Sequence, residues 1–503
     1  MKYPDPVLLL ALLALTARLH PDSGNLYGTF SEDEDPDSFE PSPNQNGPSI
    51  NASRYFGWHS RNRLKLVFDS PTIQRVQALS MLSSHEWGEG NASRSYMYVG
   101  IAARMALVLG LGSEAEKNEE EDPVDFQLIQ ESKRRTIWLV YMMDRCSGSG
   151  RHRVLCMRVD DIQVRLPCSE IDFLFGRSQI DAVTYREGEY SLNNKKYSML
   201  LNTSCWGFQL LLFEIWRKIA NWVGKIGGRA PQLPPWEKDL HYYKLLEELD
   251  NWEAALPPNL SFLTFNLEAH ISDNSAANFG YMHALFLLGR IFLNREYLYC
   301  SPELLPAQWW GSVAYQLLLA VDRMHVLVSL LEEINMMVIA PFTSFEVFTI
   351  ATTCMYVQQF PTTLLKKYFP AELLPEGAEK DIDFIKTKYL LMALLLLKVL
   401  EDWKHKWKMA NRWYGLTLTF KELLLQTGCL IQDDEVHHQL HDYGTGKVNE
   451  VYIPTKAGSK PVNKVLNSVP SFDFQRGSTP ILDFMDSLDL ANIIPGWNDA
   501  VLS

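Results

Sequence analysis

The sequence has few cysteines, and none of them stands in a paired motif. They occur singly along 503 residues, at Cys146, Cys156, Cys168, Cys205, Cys300, Cys354 and Cys429. Structural zinc sites need thiolates at short spacing, and small secreted folds need a dense cysteine framework. The scattered thiols therefore predict no metal site or cofactor site in this chain and favour a reducing compartment.

Long apolar runs are also lacking. The longest, Val7–Leu15 and Tyr389–Leu397, are far shorter than the roughly 20 residues that cross a bilayer, so we expect no membrane partner. The first run follows Lys2 and could pass for a secretory signal, although Pro4 and Pro6 interrupt its start. A secreted helical protein processed at Ala17 thus stays as a third alternative.

The chain carries no excess of positive charge. Its formal net charge of -13 opposes the phosphate attraction on which nonspecific DNA affinity depends. The cluster Arg61, Arg63 and Lys65, and the arginines between Arg145 and Arg165, are interpreted as pairing with acidic neighbours or facing water. Any DNA contact is therefore expected to come from a missing N-terminal segment or from a partner.

Catalytic motifs are absent as well. The chain has no Gly-x-Ser-x-Gly elbow, and Gly444–Lys447 lacks the upstream glycine and the following Ser or Thr of a phosphate-binding loop. Asp433–His441 is the one metal-like grouping, and we interpret it as solvated helix surface. These absences predict that the protein is not an enzyme.

Helical periodicity is what the sequence does have. Apolar residues recur at three- and four-residue spacing in Phe279–Leu298, Pro306–Met337, Phe342–Gln359 and Ile382–Lys408, without a convincing run of alternating β-branched residues. The chain is longer than the roughly 250 to 300 residues at which single cores stop growing. The predicted fold is all-α, either an extended multi-helix array or two packed helical subdomains.

Two helices near the first third of the chain are the most distinctive. The segment Tyr96–Leu109 has Arg104 as its one charged residue, which predicts a buried helix with a buried arginine. Gly110 and Gly112 are of the type that ends helices in a left-handed turn. A second helix is predicted from Asp125 to Cys146. Its Asp144 is the expected partner of Arg104.

Several ordered segments together resemble the fungus-specific transcription factor domain, the regulatory region downstream of the binuclear zinc cluster in many fungal activators. Pro71–Leu79 is similar to its "proline, then valine-glutamine-alanine-leucine" helix, and Gly100–Leu111 to its core helix. Val159–Pro167 looks like the closing segment. The resemblance covers roughly residues 1 to 430. The residues that carry its motif are Gly100, Arg104, Met105, Gly110, Arg134, Arg135, Trp138, Asp144, Arg145 and Pro167.

The resemblance implies a nuclear regulator of RNA polymerase II transcription, with the motif residues as structural anchors. The family's zinc cluster holds two zinc ions with closely spaced thiolates, and those cysteines are absent here. Transcription coactivators, a small-molecule inducer and a homodimer are the partners it suggests. A helical scaffold or corepressor without DNA binding is the alternative, and clustered cysteines encoded upstream of Met1 would indicate a truncated gene model instead.

The expected organisation has six parts. They are an opening helix in 1–30, a disordered linker in 31–51, the motif-rich core in 52–176, a second linker in 177–200, a helical continuation in 201–443 and a flexible tail in 444–503. Within the tail, 481–490 alternates apolar residues with aspartates, which is typical of acidic activation segments. Its candidate residues are Asp483, Phe484, Met485, Asp486, Leu488 and Asp489. Docking of this segment back onto the helical body is the other interpretation.

Overall fold

The computed structural model describes residues 4–20, 50–115, 122–148, 153–177, 205–223, 236–237, 241–299, 305–377 and 379–427. Every regular element in these ranges is a helix, which confirms the all-α prediction. The predicted linkers lie almost entirely outside the described residues. So do the whole 444–503 tail with its activation segment and the Asp433–His441 grouping.

Fifteen α-helices occur in the described part of the chain. They are α1 (Pro6–Thr16), α2 (Ile50–Lys65), α3 (Ile73–Gly88), α4 (Ala92–Val108), α5 (Pro123–Gly148), α6 (Glu170–Leu174), α7 (Cys205–Asn221), α8 (His241–Ala254), α9 (Thr264–Ser272), α10 (Ala276–Leu298), α11 (Ala307–Glu333), α12 (Pro341–Gln359), α13 (Thr363–Tyr368), α14 (Ile382–Trp403) and α15 (Lys408–Thr427). The helices predicted from periodicity coincide with α4, α5, α10, α11, α12 and α14.

Capping side chains fix the start of helices α1 and α3. The Asp5 side chain accepts from the backbone N–H of Val7, and Pro6 occupies the first helical position, where its missing N–H leaves no donor unsatisfied. Thr72 caps α3 in the same way, by accepting from the N–H of Arg75. α1 packs against α2 and α3. The opening apolar segment is therefore part of the folded body.

Helices α10 and α12 form the interior. All residues from Met282 to Leu298 are buried, and α12 is buried along nearly its whole length. Two helices, α10 and α11, are long and apolar enough to cross a membrane by composition, but 83% and 50% of their apolar windows are buried in the protein. Core helices satisfy the same criterion, and burial explains their composition.

The end of the described chain returns to its beginning. α15 packs against α12, α14 and α3, and the Trp407 indole just before α15 donates to the Ile339 carbonyl at 3.1 Å. A Cβ added to Gly88 would lie 2.1 Å from the Trp407 ring, so only glycine fits there. Buried apolar residues from α1 to α15 form one continuous cluster.

Candidate functional site

Helix α4 is amphipathic, and this corrects the expectation for Arg104. Ala102, Ala103 and Met105 face the core, whereas Arg104 is exposed. Small alanines line the inner face of the helix, so the composition gave little contrast between its two sides. The prediction of a buried ion pair between Arg104 and Asp144 was therefore wrong.

Glycines lie within this helix and just after it. Gly110 has φ +66°, a left-handed conformation that follows the end of α4. Gly112 serves another purpose, because a Cβ there would meet the Asp161 carbonyl oxygen at 2.6 Å. Gly100 lies against the Cys156 thiol, whose sulfur would be 3.6 Å from an added Cβ.

Asp144 organises the loop that follows α5. Its side chain is fully buried and accepts from the backbone N–H groups of Cys156 and Met157 at 3.0 Å. Arg145 donates to the same carboxylate at 3.0 Å. Burial raises the pKa of Asp144, and these donors oppose the shift. Asp144 thus clamps a loop, as a structural anchor would.

Arg145 links α5 to α7. Its guanidinium donates to the Glu214 carboxylate and to the Met157 carbonyl, and it lies 3.8 Å from the Tyr141 ring centroid. The Tyr141 hydroxyl donates to Glu214 at 2.6 Å. Burial alone would raise the pKa of Glu214, but Arg145, Tyr141 and Arg217 hold it below its usual value. The buried charges are therefore matched.

Arg134 and Arg135 bind carboxylates that lie before, within and after α5 in the chain. Arg134 makes two parallel hydrogen bonds of 2.7 Å to Glu114, the geometry in which arginine recognises a carboxylate best. Both arginines also bind Glu131, and Arg135 reaches Glu170 at 2.7 Å. Against the effect of burial, the hydrogen bonds to Arg134 lower the pKa of Glu114 to about 2. Glu114, which precedes α5 in the chain, is thus a partner of the motif.

Trp138 and Pro167 fix the closing segment. The Trp138 side chain is fully buried, and its indole donates to the Arg165 carbonyl at 2.8 Å. Pro167 is buried beside Cys168, whose N–H donates to Glu131 at 2.9 Å. The motif residues other than Arg104 therefore converge on one region between α4, α5 and the segment 153–168.

A cleft opens beside this region. It is lined by Gln127, Glu131, Arg134, Arg165, Leu166, Cys168, Asp172, Phe173, Gly176 and Arg177. Its arginines already hold carboxylates: Arg134 and Arg165 bind Glu114, and Arg177 lies 4.0 Å from Asp172. This pairing leaves the cleft poorly suited to an added anion.

A second buried ionic cluster went unrecognised in the sequence. Arg18 donates to Glu89 at 3.0 Å, to the Lys406 carbonyl at 2.8 Å and to His85 Nδ1 at 2.8 Å. Because arginine only donates, His85 Nδ1 is an acceptor and the imidazole is neutral. Burial and the Arg18 charge lower the pKa of His85 to about 4, and burial lowers the pKa of Arg18 to about 10. These partners lie too far apart in the chain for helical spacing to reveal them.

Glu86 extends the same cluster. Its fully buried carboxylate accepts from Arg61 at 2.7 Å, from Asn91 at 2.7 Å and from Arg94 at 2.9 Å. The basic residue Arg61 is thus paired, as expected. Within the described ranges, no group of three or more His, Cys, Asp or Glu side chains is placed to hold a metal ion.

Comparison with known proteins places the first half of the chain in a family. The family model described as the fungal specific transcription factor domain matches residues 1–254. The chain is 25% identical over 356 residues to the Zn(2)-C6 fungal-type transcription factor FTF1a of Fusarium oxysporum f. sp. lycopersici, covering 69% of this chain and 31% of that protein.

Two relatives from Schizosaccharomyces pombe are named as uncharacterized transcriptional regulatory proteins. C1327.01c is 28% identical over 250 residues, which is 48% of this chain and 25% of the relative, and PB1A11.04c is 23% identical over 404 residues, 73% and 54% respectively. The chain spans about a third of the length of the Fusarium relative. No solved structure matches this chain.

Proposed function

Because the chain belongs to the fungal specific transcription factor domain family, we propose that it is a nuclear regulator of RNA polymerase II transcription. Relatives named as transcription factors or transcriptional regulatory proteins support regulation of transcription in general. We further propose that it acts on RNA polymerase II in the nucleus, with transcription coactivators, a small-molecule inducer and a second copy of the chain as partners.

One observation carries the structural side of the proposal. Arg134, Arg135 and Arg145 are each bound to carboxylates inside the protein. Their charge stabilises the packing of α5 against its neighbours and is not available for DNA phosphates. The domain is therefore proposed as a regulatory module rather than a DNA-reading one. It binds DNA through a segment or partner that carries a zinc cluster.

The family consists of transcription regulators, which generally are not enzymes. Two buried histidines that are bonded to protein groups support a non-catalytic role. His85 and His283 are buried with lowered pKa values, and each is hydrogen-bonded to protein groups. Neither is poised to exchange protons with a substrate.

Tethering tests the proposal directly. The 503-residue chain is fused to an unrelated DNA-binding domain in a fungal host that carries a matching reporter. We expect increased reporter transcription. Repression would favour the corepressor alternative. Unchanged transcription, with the fusion shown by immunoblot to be nuclear and abundant, would contradict both.

The acidic segment 481–490 is proposed as the activating part. Its aspartates keep the segment soluble, while Phe484, Met485 and Leu488 would enter a coactivator groove. Residues 470–503 fused to the same DNA-binding domain are expected to activate the reporter. Replacing Phe484 and Leu488 by Ala should abolish activation, whereas replacing Ser487 by Ala should not. No reporter output from a wild-type fusion that is shown to be expressed would count against activation.

A further inference from the structure

Glu346 is a buried acid that has no hydrogen-bond partner among the described residues. It lies in α12, its side chain is 0% exposed, and neither carboxylate oxygen receives a hydrogen bond from any residue the structure describes. A buried carboxyl that is neither paired nor hydrogen-bonded destabilises a protein considerably. Such a group is therefore expected to have a role that offsets the destabilisation.

Other polar groups of α12 share this condition. The hydroxyls of Thr343 and Thr349, three positions before and after Glu346, are also buried without a hydrogen-bond partner among the described residues. A single unsatisfied atom could be a local imperfection of packing. Three unsatisfied groups within less than two turns of one helix indicate a polar strip that lacks its complement.

Two side chains from neighbouring helices lie near this strip. Cys146 in α5 and Tyr281 in α10 are close enough for the Glu346 charge to add to the effect of burial in raising their pKa values. Both retain some exposed surface. Glu346, Thr343 and Thr349 are buried, so these two residues are the partly exposed groups beside the strip.

Two aromatic residues, Phe342 and Phe345, precede Glu346 in α12. Phe342 lies four positions before Glu346, hence on the same side of the helix, and its ring is 5.8 Å from Trp216. Phe345 is 5.9 Å from Phe292 and 5.6 Å from Trp413. Faces of aromatic rings attract organic cations.

We propose that Glu346 is the anchoring group of an internal binding site for a small organic amine, with Tyr281 and Cys146 at its outer edge. An ammonium group would supply the hydrogen-bond donors and the positive charge that the carboxyl lacks. A hard metal ion fits less well, because it needs several oxygen ligands and Glu346 offers the one carboxylate. The site deepens the proposed function, on which it rests, by naming the chemical class of its inducer.

Calorimetric titration of the full chain at pH 7 tests the site. The probe is n-propylammonium chloride, with 1-propanol as the neutral match and sodium propionate as the anionic match. We expect binding of the amine, at least tenfold weaker binding of the alcohol and no binding of propionate. Equal affinity for amine and alcohol, or no heat from the amine, would overturn the proposal.

Substitutions locate the binding. Glu346→Gln should weaken amine binding at least tenfold, whereas Glu333→Gln, at an exposed acid at the end of α11, should leave it unchanged. Tyr281→Phe keeps the ring and should weaken binding severalfold. Circular dichroism establishes that each variant is folded. If amine binding survives Glu346→Gln, the site lies elsewhere and the proposal is wrong.

The tethered reporter separates this proposal from the proposed function. If the tethered chain regulates transcription but does not bind the amine, the ligand class is wrong and the regulatory function stands. If the chain binds the amine but has no effect on the reporter, the site is real and the regulatory proposal fails.

Discussion

The guanidinium of Arg18 lies 3.5 Å from the centroid of the Trp407 ring. A residue just after the first helix is thereby stacked on a residue just before the last described helix. The same guanidinium binds His85 of α3 and Glu89, the residue that follows this helix, so one side chain joins the start, the motif-rich region and the end of the described fold. The family match ends at residue 254, yet the first part of the chain is covered by residues beyond it.

Replacing Arg18 by Met should destabilise the protein strongly. The change leaves His85 and the Lys406 carbonyl without their Arg18 donor, while Glu89 keeps its ion pair with Arg54. Removing one partner of a buried pair destabilises by about 3–5 kcal/mol. Because Arg54 stays, we expect about 3 kcal/mol in urea unfolding. Arg63→Met, at an exposed position of α2, is the control and should change stability by less than about 0.5 kcal/mol.

Asp144→Asn should loosen the loop after α5. The amide keeps one acceptor but loses the charge and presents N–H groups to the N–H donors of Cys156 and Met157. We expect a loss of about 2–3 kcal/mol and faster amide exchange in residues 153–158. Asp160→Asn is the matched control, since that carboxylate is exposed. If the two substitutions have equal effects, the Asp144 carboxylate does not hold this loop in place.

Arg104→Met should have almost no effect on stability. The side chain is exposed, and substitutions of this kind usually change stability by less than about 0.5 kcal/mol. Arg145→Met, in the same motif, should lower the free energy of unfolding by about 3 kcal/mol because Glu214 and Asp144 lose their shared cation. A large effect at Arg104 would show that the motif is held together differently.

Acid should destabilise the protein through its buried histidines. Burial lowers the pKa of His283 to about 3, while the unfolded value is 6.5. Between these values the unfolded chain binds the proton and the folded chain does not. Stability is therefore full above about pH 6.5 and falls as the pH decreases.

His283→Gln isolates this contribution. Gln can still donate to the Leu260 carbonyl, which His283 Nε2 contacts at 2.9 Å. We expect the wild type to lose about 2 kcal/mol more than the variant between pH 7 and pH 5. The free energy of unfolding is measured by urea unfolding at both pH values. If the wild type and the variant lose the same amount between pH 7 and pH 5, His283 titrates normally in the folded state.

Glu346→Gln should stabilise the unliganded chain at neutral pH. Burial raises the pKa of Glu346 well above its usual value, so the folded state holds a proton that the unfolded state releases above about pH 4.5. Wild-type stability from this group is present at low pH and is lost as the pH rises. The variant should gain about 2 kcal/mol at pH 7 and little at pH 4. A destabilised variant at pH 7 would indicate an ionised, satisfied carboxylate.

The sequence predicted the helices and the motif far better than it predicted partners. Spacing of apolar residues identifies α5 because it buries a continuous face, and the apolar composition of α10 identifies a helix that is buried on all sides. Arg104 failed because alanines and apolar surface residues surround it, so the pattern could not show which side faces out. Arg145 and Glu214 belong to different helices, and Arg18 and Glu89 are 71 positions apart. No periodic pattern encodes such pairs, since packing of the whole chain decides them.

The joining of Arg18 to the end of the chain also sets an order of events during synthesis. Arg18 and Lys406 are 388 positions apart. At typical ribosomal rates that distance takes about 20–80 s to translate. Throughout that interval the surface later covered by Trp407 is open while the chain is still attached to the ribosome. The nascent chain should therefore depend on chaperones until its last helices emerge.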